Sequence, residues 1–73
     1  MSQHVVSDMS SVEDRVRRRV WGQITDLRLE SRGQGIVLQG RARTYHAKQL
    51  AQQAVLEAGR LLADNEIVVA QSP

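Results

Sequence analysis

The side chains with the clearest chemical potential are two arginines and a tryptophan in the first third of the chain. In a predicted helix over residues 12–22, Trp21 lies opposite the apolar face, with Arg17 and Arg18 on either side of it. An outward-facing indole ring favours the interface of a lipid bilayer, and guanidinium groups bind phosphate. These three residues therefore form the candidate ligand-binding site, and the ligand that they favour is an anionic phospholipid surface.

The same three residues allow two other interpretations. Arginine beside tryptophan can also neutralise and stack on a nucleic-acid strand. In a purely structural alternative, Trp21 folds back over the edge of the sheet, while the arginines compensate the dipole at the end of the helix. The charge distribution favours an anionic partner, because residues 13–43 carry eight arginines against four carboxylates.

Residue types that catalysis or metal binding would require are scarce. The chain of 73 residues contains no cysteine, which excludes a disulfide, a thiolate zinc site and a cysteine nucleophile. His4 and His46 are far apart in the chain, and neither has an acidic partner at a motif spacing. A domain of this size also has a small core. We therefore predict a non-enzymatic binding module without a cofactor or metal.

The helix that carries the candidate site is predicted from valines at a spacing of four residues. Val12, Val16 and Val20 fall on one face of that helix. Ser11 precedes them and is a good N-cap. Residues 1–10 are small and polar, and they predict a flexible leader.

Three segments show the alternation of apolar and polar residues that is typical of half-buried strands. The first contains Leu27 and Leu29, the second spans residues 35–43, and the third spans residues 61–69. Two glycines within residues 31–35 favour a hairpin loop between the first two strands.

A second helix is predicted over residues 45–58, between the second and third strands. Thr44 can cap its start, and Gly59 stands where a left-handed C-terminal residue belongs. Its apolar stripe contains four alanines, so its backbone can approach a neighbouring element closely. Gly40 offers the corresponding gap in the second strand, and we expect the helix to pack there.

These elements, in the order α-β-β-α-β, predict an α+β fold. The first two strands form an antiparallel hairpin, and the second and third, joined by a helix, run parallel. With both helices on one face of a three-stranded mixed sheet, the result is a two-layer sandwich over residues 11–70, followed by a tail at 71–73. Asn65 is expected to face inward and to satisfy backbone groups.

The other face of the sheet is predicted to be solvated and held by ion pairs. The side chains expected to pair across it are the arginines Arg28, Arg41 and Arg43 and the carboxylates of Glu30, Asp64 and Glu66. Val37 and Val68 lie on the same face, so a protein partner or a second copy of the chain could dock there. Nucleic-acid binding is less favoured, because no strand carries an aromatic residue.

Over residues 12–69 the chain resembles the BON domain family. In that family a loop glycine precedes a strand of V-x-L-x-G type, and the last strand ends in N-x-hydrophobic-x-V. The residues that fill these places are Ile36, Leu38, Gly40, Asn65, Ile67 and Val69, after the loop glycine Gly35. The family usually has a valine soon after the second helix, where this chain has Arg60.

The resemblance implies a lipid-surface module that binds anionic phospholipid through its first helix. Such domains are found mostly in periplasmic, outer-membrane or lipid-associated bacterial proteins, often beside other domains. The first eleven residues carry neither a basic head nor an apolar stretch and do not resemble a signal peptide. The sequence therefore leaves two compartments open. Either the protein stays in the cytoplasm, or it is a periplasmic protein whose leader has been removed.

Overall fold

The computed structural model describes residues 8–70, which form an α+β structure with two helices and one mixed sheet. The elements, in chain order, are α1 (Asp8–Arg19), β1 (Ile24–Arg32), β2 (Gly35–Ala42), α2 (Tyr45–Glu57), β3 (Leu61–Asn65) and β4 (Val68–Val69). β1 pairs with β2 in antiparallel orientation, and both β3 and β4 pair with β2 in parallel orientation. The α+β class and the mixed sheet are confirmed, whereas the prediction of three strands is wrong because the sheet has four.

The last strand is divided because Asn65 turns inward at its middle. The Asn65 side-chain amide donates to the Lys48 carbonyl oxygen at 3.2 Å, and its Oδ1 accepts from the Ile67 N–H at 3.2 Å. Beside it, the Glu66 N–H donates to the Leu38 carbonyl oxygen at 2.8 Å and keeps the chain next to β2. The expectation that Asn65 satisfies backbone groups is confirmed. The same bonds end β3, and β4 begins at Val68 after two intervening residues.

Gly40 is required by the neighbouring strand β1 and not by a helix. The pairing of β1 with β2 shifts by one residue between Thr25 and Arg28, which is a β-bulge opposite Gly40. A Cβ on Gly40 would lie 3.1 Å from the Thr25 carbonyl oxygen and 3.2 Å from Leu27 Cα. Its φ of +147° is also one that other residues rarely adopt. The prediction that α2 packs against Gly40 is therefore wrong.

The first helix begins and ends earlier than its valine spacing predicts. α1 starts at Asp8, so residues 8–10 are helical and Ser11 lies inside the helix, not at its N-cap. It ends at Arg19, because the chain then tightens into a turn in which the Gln23 N–H donates to the Val20 carbonyl oxygen at 2.8 Å. The predictions for residues 1–7 and 71–73 lie outside the described residues.

The second helix follows its local signals closely. Thr44 has extended backbone angles, and its hydroxyl oxygen accepts from the Ala47 N–H at 3.1 Å, so it is the N-cap. Gly59 follows the helix with a φ of +77°. The predicted cap and the left-handed glycine are both confirmed, because each depends only on residues close in sequence.

A single apolar cluster connects both helices with β1, β2 and the segment before β4. Its buried members are Val12, Val16, Val20, Leu27, Ile36, Leu38, Ala42, Ala47, Ala51, Ala54, Val55 and Ile67. The buried residues of α2 are alanines apart from Val55, so its backbone lies close to its neighbours. Neither helix of residues 8–70 is long and apolar enough to cross a membrane.

Candidate anion-binding surface

Trp21 lies in the turn between α1 and β1 and points into solvent. The prediction placed it in the last turn of the helix, but α1 has ended two residues earlier. Trp21 is 82% exposed, so the alternative in which its ring folds back over the sheet edge is wrong. The turn is fixed at both ends, because Val20 is buried in the core and the Arg43 N–H donates to the Gln23 carbonyl oxygen at 3.1 Å. A rigid turn therefore presents the indole ring.

Arg17 is close to Trp21, as predicted. Both residues line one shallow depression of about 120 Å³, whose apolar floor includes Val20 and Leu27. The Arg17 guanidinium is half-exposed and lies 3.4 Å from the Glu13 carboxylate, one helical turn earlier. An exposed i,i+4 ion pair of this kind is weak, and it leaves the arginine able to exchange its partner.

Arg18 is exposed but lies on the other side of α1. It lines a groove of about 370 Å³ between α1 and α2, together with Arg15, Arg19 and Glu57. The structure thus brings Arg17 and Trp21 together and places Arg18 apart from them. A small ligand in one depression therefore cannot contact all three side chains.

Two further arginines stand beside the Trp21 turn. Arg41 and Arg43 line a depression of about 400 Å³ with Gln23 and Thr25, and Gly22 is shared with the depression of Arg17 and Trp21. The sequence placed both arginines on the sheet but could not place them near Trp21, because their proximity depends on the register of β1 against β2. Arginines therefore line both of the depressions that meet at Gly22, the residue after Trp21.

The ion pairs of the outer sheet face differ from those predicted. Arg32 contacts Glu30 at 3.6 Å and Glu66 at 3.5 Å, and Gln39 donates to the same two carboxylates at 3.5 and 3.2 Å. These carboxylates were predicted to pair with Arg28, Arg41 and Arg43, and that prediction is wrong. Among the side chains of residues 10–70, no carboxylate lies within 4.0 Å of the guanidinium groups of Arg28, Arg41 and Arg43.

Val37 is not available on the outer face of the sheet. It is fully buried, although it lies outside the main apolar cluster. Its Cα partners are Glu30 on β1 and Asp64 on β3, so it occupies the middle of the sheet between longer side chains. The prediction that Val37 is exposed is therefore wrong, whereas Val68 is exposed as predicted.

The helices α1 and α2 are joined by one bidentate ion pair. Arg19 Nη1 and Nη2 donate to Glu57 Oε1 and Oε2 at 2.5 and 3.1 Å. These hydrogen bonds lower the pKa of Glu57, with a further contribution from the positive charge of Arg15, and they raise the pKa of Arg19. Because the pKa of Glu57 is lowered in the folded state, the pair stabilises the fold above the unfolded pKa. That contribution is lost as the pH falls through the folded pKa.

The described residues contain no group of three or more His, Cys, Asp or Glu side chains that could hold a metal ion. His46 is exposed in the first turn of α2. His4 lies outside residues 8–70, and the absence of catalysis stays a prediction.

Comparisons with known proteins identify no relative. No protein-family model matches the chain, and searches of curated proteins and of solved structures found no significant match. The resemblance to the BON domain family therefore stays a prediction. The surface described above has to be argued from its own geometry.

Proposed function

We propose that this protein is a non-enzymatic module that binds an anionic phospholipid surface through Arg17, Arg18 and Trp21. The observation that carries the proposal is the 82% exposure of Trp21 on a turn flanked by depressions that arginines line. An indole ring is seldom left in water in this way, and it prefers the boundary between headgroups and acyl chains. Lipid phosphates would accept hydrogen bonds from the guanidinium groups beside it.

The proposal includes a BON-like fold, a two-layer sandwich with both helices on one face of the sheet. It is supported by the common apolar cluster, to which both helices and alternate residues of β2 contribute. In that arrangement the turn between α1 and β1 stands at one end of the sheet, beside the end of β2. Arg41 and Arg43 can then reach the same lipid surface as Trp21.

Electrostatic attraction supplies most of the binding energy in this proposal. Each arginine near an anionic surface contributes about 1 kcal/mol, and this contribution decreases within a Debye length of about 8 Å at physiological salt. A few arginines and one tryptophan therefore give weak, reversible and salt-dependent binding. Insertion of an apolar segment is not part of the mechanism.

Replacing Trp21 by alanine, or Arg17 by glutamine, should weaken binding to vesicles that contain phosphatidylglycerol. We expect affinity for the vesicles to fall about tenfold with Trp21→Ala. With Arg17→Gln it should fall about fivefold, which corresponds to the loss of roughly 1 kcal/mol. Co-sedimentation measures the partition coefficient. Trp21 is the single tryptophan of the chain, so a blue shift of its fluorescence reports directly whether the ring enters the interface.

Arg32→Gln is the matched control, because it removes the same charge at the opposite end of β1 from the Trp21 turn. It should leave the partition coefficient unchanged. Equal binding to phosphatidylcholine vesicles, or an unshifted emission spectrum in the presence of anionic vesicles, would show that the proposal is wrong.

A second candidate function is self-association through the outer sheet face, or docking of another protein there. Leu61 and Val68 are each 61% exposed, and both occupy β-strands that pair with β2. The case is weaker than the sequence suggested, because Val37 is buried.

Light scattering with gel filtration tests the second candidate. If the face associates, the mass should double as the concentration is raised, and Val68→Asp should restore the monomer. A monomer at every concentration, without a partner that co-purifies, would exclude it. Nucleic-acid binding ranks third, and binding of single-stranded RNA that does not weaken with added salt would not come from these arginines.

A further inference from the structure

We propose that the groove between α1 and α2 is a second anion site, which binds a soluble compound with two phosphate groups, such as a pyrophosphate or a bisphosphate. The groove contains two adjacent depressions, of about 370 and 300 Å³, and Arg15 lines both of them. Arg18 and Arg19 line the first, and Arg60 lines the second. Two neighbouring cationic depressions can accommodate two linked phosphate groups.

The groove has too few carboxylates for its arginines. Among the residues with described side chains that line the two depressions, Glu57 is the one acidic residue, and both of its oxygens are bound by Arg19. Among the side chains of residues 10–70, no carboxylate lies within 4.0 Å of Arg15, Arg18 or Arg60. Crowding of guanidinium groups without counter-charge is unfavourable, and an anion with several negative charges would relieve it.

Arg60 provides the second observation. It follows α2 directly, and its N–H donates to the Val55 carbonyl oxygen at 3.3 Å, which holds its backbone against the helix end. Its Nη1 is shielded from solvent and has no hydrogen-bond partner among the described residues. A buried donor without an acceptor is unfavourable. A phosphate oxygen in the second depression would supply the acceptor once the guanidinium turns towards it.

The small residues of the groove leave space for such a ligand. Ala54 lines the first depression, and Ser11 and Ala58 line the second. Because both depressions are open and the charged groups in their lining are mostly arginines, they would select the ligand by its phosphate charge more than by its organic part. Arginine suits this task because its planar fork binds two phosphate oxygens at once.

Inorganic pyrophosphate is the probe for the experiment, titrated into the full chain and followed by calorimetry and by the NMR signals of the arginine Nε–H groups. We expect the Arg15 and Arg60 signals to shift and Arg15→Gln to weaken binding at least tenfold. Arg60→Lys keeps the charge but loses the fork, and it should give an intermediate loss. Arg15 is exposed, so its replacement should not disturb folding, and circular dichroism checks this.

Glu57→Gln gives the sharpest test, because it should change the affinity in the opposite direction. It removes the carboxylate that competes for Arg19, and pyrophosphate should bind about threefold more tightly. Arg32→Gln, which removes a charge far from the groove, should have no effect. The proposal is overturned if the NMR shifts are spread evenly over all arginines, or if Arg15→Gln and Arg32→Gln lower the affinity for pyrophosphate equally. Either result would mean that pyrophosphate binds through the overall positive charge and not in the groove.

The lipid proposal and the groove proposal can fail separately. Trp21→Ala should weaken binding to anionic vesicles and leave pyrophosphate binding intact, whereas Arg15→Gln should weaken pyrophosphate binding and leave vesicle binding intact. If pyrophosphate does not bind and Arg15→Gln weakens vesicle binding, the groove is part of the lipid surface and the second site is refuted.

Discussion

Replacing Gly40 by alanine should lower the free energy of unfolding by about 4 kcal/mol, which combines backbone strain with overpacking. The φ of +147° excludes a side chain on conformational grounds, and the added Cβ would lie 3.1 to 3.2 Å from backbone atoms of β1. Backbone atoms in a paired strand cannot move aside as a flexible side chain can. Small domains have a total stability of roughly 5 to 15 kcal/mol, so much of the variant would be unfolded at 37 °C.

Two other glycines separate the contributions to this effect. Gly22 has a φ of +76° and no atom within 4 Å of an added Cβ. Gly22→Ala should therefore lower the free energy of unfolding by about 1 kcal/mol, through backbone strain alone. Gly35 has no unusual φ, but its Cβ would lie 2.9 Å from the Ala63 nitrogen, so Gly35→Ala tests crowding. Urea unfolding followed by circular dichroism is the suitable measurement, because Trp21 is already exposed in the folded state. If Gly40→Ala lowers the free energy of unfolding no more than Gly22→Ala does, the argument that β1 crowds the Gly40 position is wrong.

Replacing Leu38 by alanine should lower the free energy of unfolding by about 2 to 5 kcal/mol. Leu38 is fully buried in the central strand, and its Cα partners are Leu29 on β1 and Asn65 on β3. Truncation therefore opens a cavity where the sheet meets the apolar cluster. The strands around it cannot close the cavity without breaking their pairing, so we expect a loss in the upper half of this range.

Leu56→Ala makes the same chemical change on the solvent side of α2. Leu56 is 50% exposed, and alanine has a slightly higher helix propensity, so the change in stability should stay within about 0.5 kcal/mol. Chemical denaturation of both variants gives the comparison. Equal losses would mean that burial in this small core does not determine its stability.

The elements that sequence reasoning placed well are those whose signals are local. Thr44 and Gly59 mark the two ends of α2, because a cap depends on residues within one turn of it. The valine spacing correctly identified the buried face of α1, since Val12 and Val16, and Val20 just after the helix, all lie in the core. The bounds of α1 were less predictable, because serine is tolerated inside a first turn and the final turn was closed by contacts that lead into β1.

The features that were missed depend on residues far apart in the chain. Nothing near Gly40 in the sequence indicates that β1 carries an extra residue opposite it, so the glycine was assigned to the wrong neighbour. The pairing of Arg32 with Glu66 joins the first edge strand to the loop after β3, and alternation alone does not fix that register. The division of residues 61–69 into two strands likewise depends on the side chain of Asn65 reaching α2.

The candidate surface shows the same difference between local signals, which the sequence predicts, and contacts between distant residues, which it does not. The proximity of Arg17 and Trp21 follows from their spacing of four residues, even though the helix ends between them. Arg18 lies about 100° further round the helix, and its place in a groove appears only when α2 is present. The position of Arg60 in the same groove could not be predicted either, because a residue after α2 meets α1 only in the folded chain.

The bulge opposite Gly40 also protects an open edge of the sheet. β1 is nine residues long and forms one margin, so its outer backbone groups could template another strand. The extra residue interrupts that margin, Asp26 stands at the interruption with a φ of 56°, and Arg28 and Glu30 add charge further along. A kinked, charged margin is a poor template for edge-to-edge addition. We therefore expect the bulge, which the absent side chain of Gly40 permits, to disfavour the assembly of chains into extended sheets, an effect that a measurement of folding stability alone would not detect.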